Sequence, residues 1–380
     1  MKKKVAILGS TGSIGKSTLE IIKKYKSYFK VELLSGSTNY NLLVNQSKIF
    51  KPKYIYTNNK LLSNKLIKFT SKNKIKLIND IDEIKKNKFD ISISAISGVE
   101  GLIPTYKIIK FTKNLGIANK ESIICGWPFL KKEMKKFGCS FFPLDSEHFS
   151  IYKLLEKKNI STISKVFLTA SGGPFFNKKI NLSKVTPKQA VKHPKWKMGK
   201  KISVDSANLF NKILEIIEAS LIFDLPINKF SFVIHPESKV HAIVNFRNNF
   251  SSMIYHDTDM KIPIMNFLFM NNKKIITSND NFLSTNKMQL NFYKFDVRMS
   301  VYRIFNFLNK LNFVGYIVLN CANEFLVSKF LNNEILFEHI LKNLCVFFDR
   351  KDIQRYVKNT KITSIYDIND IIKFTHSKLV

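Results

Sequence analysis

The sequence predicts an α/β protein that begins with a parallel, doubly wound sheet, and two observations support this fold class. Over roughly the first 145 residues, short apolar segments typical of buried strands alternate with segments of helical periodicity. The first predicted strand, at 4–8, runs into a turn opened by Gly9 and then into a helix with apolar residues at Ile14, Leu19 and Ile22. A strand–turn–helix unit at the start of such an alternation is typical of a doubly wound sheet.

The later elements are predicted from the same two periodicities. Further strands of the first sheet are expected at 31–37, 53–57, 75–80 and 89–97. From about residue 146 the pattern changes, and we expect strands at 164–172 and within 230–246, a strong helix at 207–223 and an apolar segment at 263–270.

The length of 380 residues indicates two or three domains. A polar segment at 271–287 is predicted to be a linker, and the apolar segments after it are predicted to be helices. We therefore divide the chain into a Rossmann-like domain at 1–145, an α+β domain at 146–270, the linker at 271–287 and a C-terminal α-helical domain at 288–380.

The chain is strongly basic, with 62 Lys and Arg against 28 Asp and Glu and a formal net charge of +34. The lysines are scattered along the whole sequence rather than gathered in a patch or tail, and Asn, Ile and Phe, which share AT-rich codons with lysine, are also abundant. We interpret the charge as compositional bias and expect no specific nucleic acid. Nucleic-acid binding stays open as the alternative that basic residues clustered on one face would favour.

The cysteines and the apolar runs indicate a cytoplasmic protein. Cys125, Cys139, Cys321 and Cys345 are widely spaced and contain no C-x-x-C pair, so we expect reduced thiols. No apolar run is long enough to span a bilayer, and the first run meets Gly9 too early for a signal peptide.

The turn GSTGSIG (9–15) is a candidate nucleotide-binding site, with an ordinary tight turn as the alternative. Its glycines lie between a strand and a helix, where the backbone can approach a pyrophosphate at the helix N-terminus. After the second strand, SGSTN (35–39) contains no acidic residue to bind a ribose 2′-hydroxyl. Neutral side chains there favour a 2′-phosphate, and hence NADPH over NADH.

Two acidic segments form a candidate metal site. In PLDSEH (143–148) we expect an extended backbone, which would direct Asp145 and Glu147 to one side, and Glu215 follows Asn211 by one helical turn. Carboxylate ligands without His or Cys suit Mg²⁺ or Mn²⁺ better than zinc. The alternative for PLDSEH is a helix start.

Three loops contain further candidate ligand-binding residues. ANKES (118–122) follows a strand at the sheet edge where ligands bind, although it could be a charged helix start. SGGPF (171–175) could present a hydroxyl and backbone N–H groups to a phosphate, or be an ordinary loop. HPKWKMG (193–199) places a tryptophan in a polar segment, which is typical of a mobile lid.

Together these segments resemble the 1-deoxy-D-xylulose 5-phosphate reductoisomerase family. The resemblance rests on GSTGSIG, ANKES, PLDSEH, LTASGGPF, HPKWKMGKKISVDSANLFNKILEIIEA and VIHPESKVHAIV in the family's order, and it extends to LNCANEFLVSKFL. It implies an NADPH-binding domain, a catalytic domain that binds Mn²⁺ or Mg²⁺ (or Co²⁺), a helical C-terminal domain and a homodimer. It also implies metal-assisted rearrangement of 1-deoxy-D-xylulose 5-phosphate and reduction to 2-C-methyl-D-erythritol 4-phosphate.

The resemblance also implies roles for individual residues. Metal ligands would be Asp145, Glu147 and Glu215. Substrate-binding positions would be Lys120, Ser146, Glu147, Ser171, His193, Trp196, Met198, Ser206, Asn211, Lys212 and Glu215, with Trp196 and Met198 in a flap. Cofactor positions would be Thr11, Gly12, Ser13, Ile14, Ser37, Thr38, Asn39, Asn119, Glu121 and Gly199. Catalytic residues would be Lys120, His241 and the three metal ligands.

Two departures from the family and one unassigned residue complete the predictions. Residues 35–39 match the family's second-strand turn only loosely, and Ile213 replaces a usual glycine. For His148 we expect a structural role in capping the following helix. The competing enzyme function is another NADPH- and metal-dependent oxidoreductase acting on a related sugar phosphate.

Overall fold

The protein is described here by a computed structural model that covers residues 1–85, 88–156, 158–196, 198–270, 289–294 and 300–379. The predicted linker at 271–287 lies outside the described residues. The chain divides into two compact units, the first of which contains 1–145 and 260–268 and the second 146–259 and 269–380.

The first unit contains a seven-stranded parallel sheet, which confirms the predicted doubly wound fold. The sheet order is β4-β3-β2-β1-β5-β6-β7. Its elements are β1 (Lys3–Leu8), α1 (Ser13–Lys24), β2 (Phe29–Ser35), α2 (Tyr40–Phe50), β3 (Tyr54–Tyr56), α3 (Lys60–Lys72), β4 (Lys76–Ile78), β5 (Phe89–Ser94), α4 (Leu102–Ile108), β6 (Thr112–Ile117), α5 (Lys120–Phe137) and β7 (Ser140–Pro143). The order reverses between β1 and β5, and ligands bind at the carboxyl ends of strands beside such a reversal.

The second unit contains a four-stranded mixed sheet and the helices of the C-terminal region. The sheet order is β11-β10-β8-β9, with β8 and β9 parallel and the other two pairs antiparallel. Its elements are α6 (Ser146–Leu155), β8 (Ile163–Ala170), α7 (Pro187–Ala190), α8 (Lys200–Ala207), α9 (Phe210–Phe223), β9 (Phe230–Ile234), β10 (Val240–Phe246), β11 (Ser251–Tyr255), α11 (Ser300–Phe307), α12 (Phe313–Leu331), α13 (Phe337–Asp349), α14 (Lys351–Asn359) and α15 (Ile368–Ser377).

The apolar segment at 263–270 lies mostly in a helix, α10 (Lys261–Leu268), that belongs to the first unit. Phe267 of this helix lies over the sheet, because a Cβ atom on Gly116 would be 2.6 Å from the Phe267 ring. The Phe267 ring also lies 5.1 Å from the ring of Phe142. Residues 260–268 therefore belong to the first compact unit rather than to the predicted domain at 146–270.

The predicted helix at 207–223 corresponds to α9 (Phe210–Phe223), which begins three residues later than predicted. Leu209 has a left-handed backbone with φ of +65°, so α8 ends at Ala207 and α9 begins at Phe210. No helix in the described part of the chain is long and apolar enough to cross a membrane.

Candidate active site

The glycine turn after β1 is tightly packed against its neighbours. Gly9 has φ of +85°, and a Cβ atom there would be 2.4 Å from the Ala95 carbonyl oxygen, just past β5. A Cβ atom on Gly15 would be 2.4 Å from the Gly9 carbonyl oxygen, so α1 lies directly on the turn. Within the described residues no side chain caps α1, and Gly12 and Ser13 are exposed. This helix N-terminus can therefore bind an anionic group through backbone N–H groups.

The end of β2 lies beside this turn and carries neutral polar residues. The backbone N–H of Gly9 donates to Ser35 Oγ at 2.7 Å, which joins the turn to the second strand. Ser37, Thr38 and Asn39 follow and are exposed. Asn39 caps α2, because its Oδ1 accepts a hydrogen bond from the Leu42 N–H at 3.0 Å. The side-chain oxygen of Asn39 is thus already engaged in capping α2.

The ANKES segment lies at the carboxyl ends of β5 and β6, where the sequence predicted it. Asn119 caps α5, and its Nδ2 donates to the backbone carbonyls of Gly98 (2.9 Å) and Ile96. Lys120 is 2% exposed, and its Nζ lies 3.5 Å from Asp145 Oδ2 at the end of β7. Burial this deep requires a charged partner, which Asp145 supplies.

In the second unit, α6 and α9 bring an acidic cluster together. Glu147 lies in the first turn of α6 and Glu215 on α9. The ammonium group of Lys212 donates to Glu147 Oε1 and, at 2.5 Å, to Glu215 Oε2. Ser146 Oγ donates to Glu147 Oε2 at 2.5 Å, and Asn211 Nδ2 donates to Glu215 Oε1. Residues 65 positions apart thus form one hydrogen-bonded group.

The predicted extended conformation of PLDSEH is wrong, because α6 begins at Ser146. The positive end of the helix dipole lies at this terminus and favours an acidic residue in the first turn. Glu147 therefore reaches the cluster from a helix start. A helix start was the alternative left open for this segment, and it is the structure observed.

The cluster is charged at neutral pH. Burial opposes ionisation of Glu147, but attraction to Lys212, together with hydrogen bonds from Lys212 and Ser146, outweighs it and holds the pKa of Glu147 well below its usual range. Burial also opposes the charge on Lys212, yet the two carboxylates raise the pKa of this ammonium group. Two carboxylates therefore face one ammonium group in a largely buried site.

His148 was expected to cap the following helix. It instead joins α6 to α9. It is fully buried, with Nε2 2.9 Å from the Glu215 carbonyl oxygen and Nδ1 3.3 Å from Glu218 Oε2. A carbonyl oxygen only accepts hydrogen bonds, so Nε2 carries a proton. Glu218 was not among the residues predicted from the sequence, and its one signal is a second acidic residue in the mostly apolar helix α9.

Ser171 and His193 form a second polar group in this unit. The backbone N–H groups of Lys195 (3.1 Å) and Trp196 (2.9 Å) donate to His193 Nδ1. Nε2 of the neutral ring therefore carries the proton and donates to Ser171 Oγ at 2.9 Å. Burial, aided by the charge of Lys212, lowers the pKa of His193 to about 4, so the ring is neutral at physiological pH.

The Ser171 hydroxyl can donate its proton to a further group, because its oxygen accepts two hydrogen bonds from the protein. Its oxygen already accepts from His193 and from the Gly173 N–H at 3.1 Å, so its own proton points elsewhere. Gly173 has φ of +69°, and a Cβ atom there would be 2.7 Å from the Ser206 carbonyl oxygen. The loop therefore lies against the end of α8 that carries Ser206.

Trp196 lies beside a pair of stacked histidines. Its ring is 5.9 Å from that of His241, edge to face, and His241 stacks on His256 at 3.9 Å. Burial lowers the pKa of His241 to about 3. Met198 is half-buried and Gly199 precedes α8 as its N-cap. The sequence analysis missed His256, because no motif marks a histidine after an antiparallel strand.

Comparisons with known proteins give one consistent result. Three family models match, described as 1-deoxy-D-xylulose 5-phosphate reductoisomerase (residues 5–126), its C-terminal domain (141–223) and the DXP reductoisomerase C-terminal domain (256–376). The 1-deoxy-D-xylulose 5-phosphate reductoisomerase of Pelagibacter ubique is 43% identical and that of Sulfurihydrogenibium sp. 39%. The alignments cover 99% of both chains in the first case, and 98% of this chain and 96% of the relative in the second.

Solved structures agree. The reductoisomerase from Zymomonas mobilis in complex with NADPH superposes with a TM-score of 0.86 at 28% identity, covering 100% of this chain and 98% of the other. A DOX-P reductoisomerase in complex with NADPH, fosmidomycin and magnesium gives a TM-score of 0.87 at 30% identity, covering 99% and 98%.

Proposed function

The chain belongs to the 1-deoxy-D-xylulose 5-phosphate reductoisomerase family, and on that premise we propose how its residues convert 1-deoxy-D-xylulose 5-phosphate to 2-C-methyl-D-erythritol 4-phosphate. The reaction uses NADPH and a divalent metal ion, in the non-mevalonate synthesis of isoprenoid precursors. One observation supports the proposal: Glu147, Lys212 and Glu215 form a largely buried group that combines two carboxylates with an ammonium, an arrangement of the kind that occurs at functional sites.

NADPH binds to the first unit. The uncapped N-terminus of α1 at Gly12 and Ser13 suits the pyrophosphate, and Thr11 and Ile14 flank it. Ser37, Thr38 and Asn39 suit the 2′-phosphate because the turn is exposed and contains no carboxylate. Asn119, Glu121 and Gly199 would complete the cofactor contacts. When bound, NADPH supplies the hydride for the reduction.

Asp145, Glu147 and Glu215 would hold the divalent ion. Glu147 and Glu215 offer carboxylate oxygens, the donors that Mg²⁺ and Mn²⁺ prefer, and both contact Lys212. Asp145 precedes Glu147 by two residues, so the backbone keeps their Cα atoms within about 7 Å. When bound, the ion acts as a Lewis acid toward the ketone and neighbouring hydroxyl of the substrate. Co²⁺ is a further metal that the resemblance allows.

The substrate phosphate would be held away from the reacting carbons. Ser171 has a hydroxyl proton directed outward, and Ser206 lies against the same loop. Asn211 and Lys212 contribute an amide and an ammonium from the start of α9. Binding energy from this remote phosphate can orient the carbon skeleton for the carbon–carbon rearrangement.

The remaining residues exclude water and position protons. Lys120 and Ser146 would contact the substrate's oxygens, and His193 fixes the orientation of Ser171. Trp196 and Met198 would close over the substrate, and Trp196 rests on His241. A homodimer is also proposed, on the resemblance. A cytoplasmic location without a membrane or specific nucleic-acid partner is proposed on the sequence.

The test is an assay of NADPH oxidation with the purified, EDTA-treated chain. We expect turnover with 1-deoxy-D-xylulose 5-phosphate only after Mg²⁺ or Mn²⁺ is added, with 2-C-methyl-D-erythritol 4-phosphate as product. D-xylulose 5-phosphate and D-ribulose 5-phosphate, assayed in parallel, should be much poorer substrates. Faster turnover of either would favour the competing sugar-phosphate oxidoreductase.

A further inference from the structure

Four aromatic rings form a continuous column in the second unit. The Phe149 ring of α6 meets the His256 ring edge to face, with 5.8 Å between their centroids. His256 stacks on His241, with centroids 3.9 Å and planes 13° apart. The Trp196 ring meets the His241 ring with 5.9 Å between their centroids. Phe149, His256 and His241 are 4%, 8% and 2% exposed, whereas Trp196 is half-buried at the outer end. The column therefore leads from the core helix that carries Glu147 to the proposed lid.

His256 is the fixed member of this column. Its Nδ1 lies 2.9 Å from the Asp257 carbonyl oxygen, and its Nε2 lies 3.3 Å from Ser150 Oγ on α6. Its backbone carbonyl lies 3.3 Å from His241 Nε2. One residue thus contacts α6 with one edge, and His241 with both its ring face and its backbone.

We infer that His256 is a positioning residue, which holds the His241 ring in the plane that seats Trp196 over the site. A near-parallel neighbour at 3.9 Å prevents the imidazole of His241 from tilting, and the edge contact of Trp196 depends on that plane. His256 itself touches no proposed substrate group. The role of the lid rests on the proposed function, whereas the seating of Trp196 is a property of the free protein.

Ring shape, rather than hydrogen bonding, is what this account requires of residue 256. His256→Phe keeps a planar ring that can stack on His241, whereas His256→Leu has similar bulk without a plane. The control is Phe292→Leu, which removes a different aromatic–histidine stack, that of Phe292 on His235 (ring centroids 4.6 Å apart, planes 18° apart). The chain has two tryptophans, so all variants are made in a Trp127→Phe background in which Trp196 is the only one.

The first readout is acrylamide quenching of Trp196 fluorescence in the free protein, and the second is the division of effect between KM and kcat. His256→Leu should increase quenching and raise KM by about two- to tenfold, the factor that loss of an aromatic pair predicts, with kcat nearly unchanged. His256→Phe and Phe292→Leu should leave both quantities near those of the parent. Quenching needs no substrate, so failure of the proposed function would leave this test intact.

Three outcomes would overturn the inference: unchanged quenching in His256→Leu, an equal change in Phe292→Leu, or a Phe variant as impaired as the Leu variant. The last outcome would assign the role to the imidazole nitrogens. If His256→Leu does not fold, His256→Gln, which lacks a ring but keeps polar atoms, is judged by the same criteria.

Discussion

The two units build their proposed ligand sites in different ways. In the first, the nucleotide site consists of a glycine turn, a helix N-terminus and exposed neutral side chains. In the second, Lys212 and Glu215 are buried, Glu147 is half-buried, and the three interact across long sequence separations. All seven histidines of the chain lie in that unit. A backbone site depends on local geometry and steric fit, whereas a buried charged site depends on every partner being present.

The largest effect is expected from Glu215→Gln. A neutral amide is a weaker ligand for a hard cation, so metal-dependent turnover should fall on the order of a hundredfold or more, because the metal contributes several kcal/mol. The measurement is kcat across a Mn²⁺ titration. Glu334→Gln makes the same change at an exposed ion pair with Lys329 and should leave turnover unaltered. Normal activity of Glu215→Gln at limiting Mn²⁺ would show that Glu215 is not a ligand.

A smaller effect on the other unit is expected from Gly15→Ala. The added Cβ would meet the Gly9 carbonyl oxygen at 2.4 Å, so the turn must shift, and NADPH affinity should fall by about tenfold or more. Gly138→Ala is the matched control, because Gly138 has φ of +65° but open space around it. It should lose about 1–2 kcal/mol of stability, because alanine is strained in a left-handed backbone, and keep its affinity. Equal NADPH binding by both variants would refute the close-packed turn as a determinant of affinity.

The two tryptophans distinguish a proposed lid from a core. Trp127 is 5% exposed, and Trp127→Ala should cost about 3–5 kcal/mol of stability. Trp196→Ala should instead raise KM and lower kcat/KM, with the melting temperature of the free protein nearly unchanged. A large fall in melting temperature with intact kinetics would make Trp196 a packing residue.

The smallest effect is a loss of stability in mild acid that originates in the second unit. The folded protein keeps the pKa of His193 at about 4 and that of His241 at about 3, below the unfolded value of about 6.5. Below about pH 6.5 the unfolded chain therefore binds more protons than the folded protein, and the free energy of unfolding decreases as the pH falls. The partly exposed His193 contributes less than His241. Melting curves at pH 7.5 and 5.5 should show the loss, and His241→Asn should reduce the difference; equal stability at both pH values would contradict it.

The same contrast explains what the sequence could predict. The glycine turn, five of the seven strands of the first sheet and the acidic residues are marked by local patterns, and the structure confirms the fold class. The left-handed Leu209, the return of 260–268 to the first unit and the His148 contact with α9, 67 residues away, depend on tertiary packing that no short pattern records. His256 was missed for the same reason, because its ring partner His241 lies on another segment. The roles of individual site residues remain predictions.

The central claim, that the nucleotide and the metal bind to separately built sites, is tested most directly by measuring both affinities in two variants. NADPH binding is followed by its fluorescence and Mn²⁺ binding by electron paramagnetic resonance, in Glu215→Gln and in Gly15→Ala. We predict a crossed result, in which Glu215→Gln loses Mn²⁺ affinity and keeps NADPH affinity, while Gly15→Ala does the reverse. Loss of both affinities in either folded variant, or of neither in both, would contradict the claim.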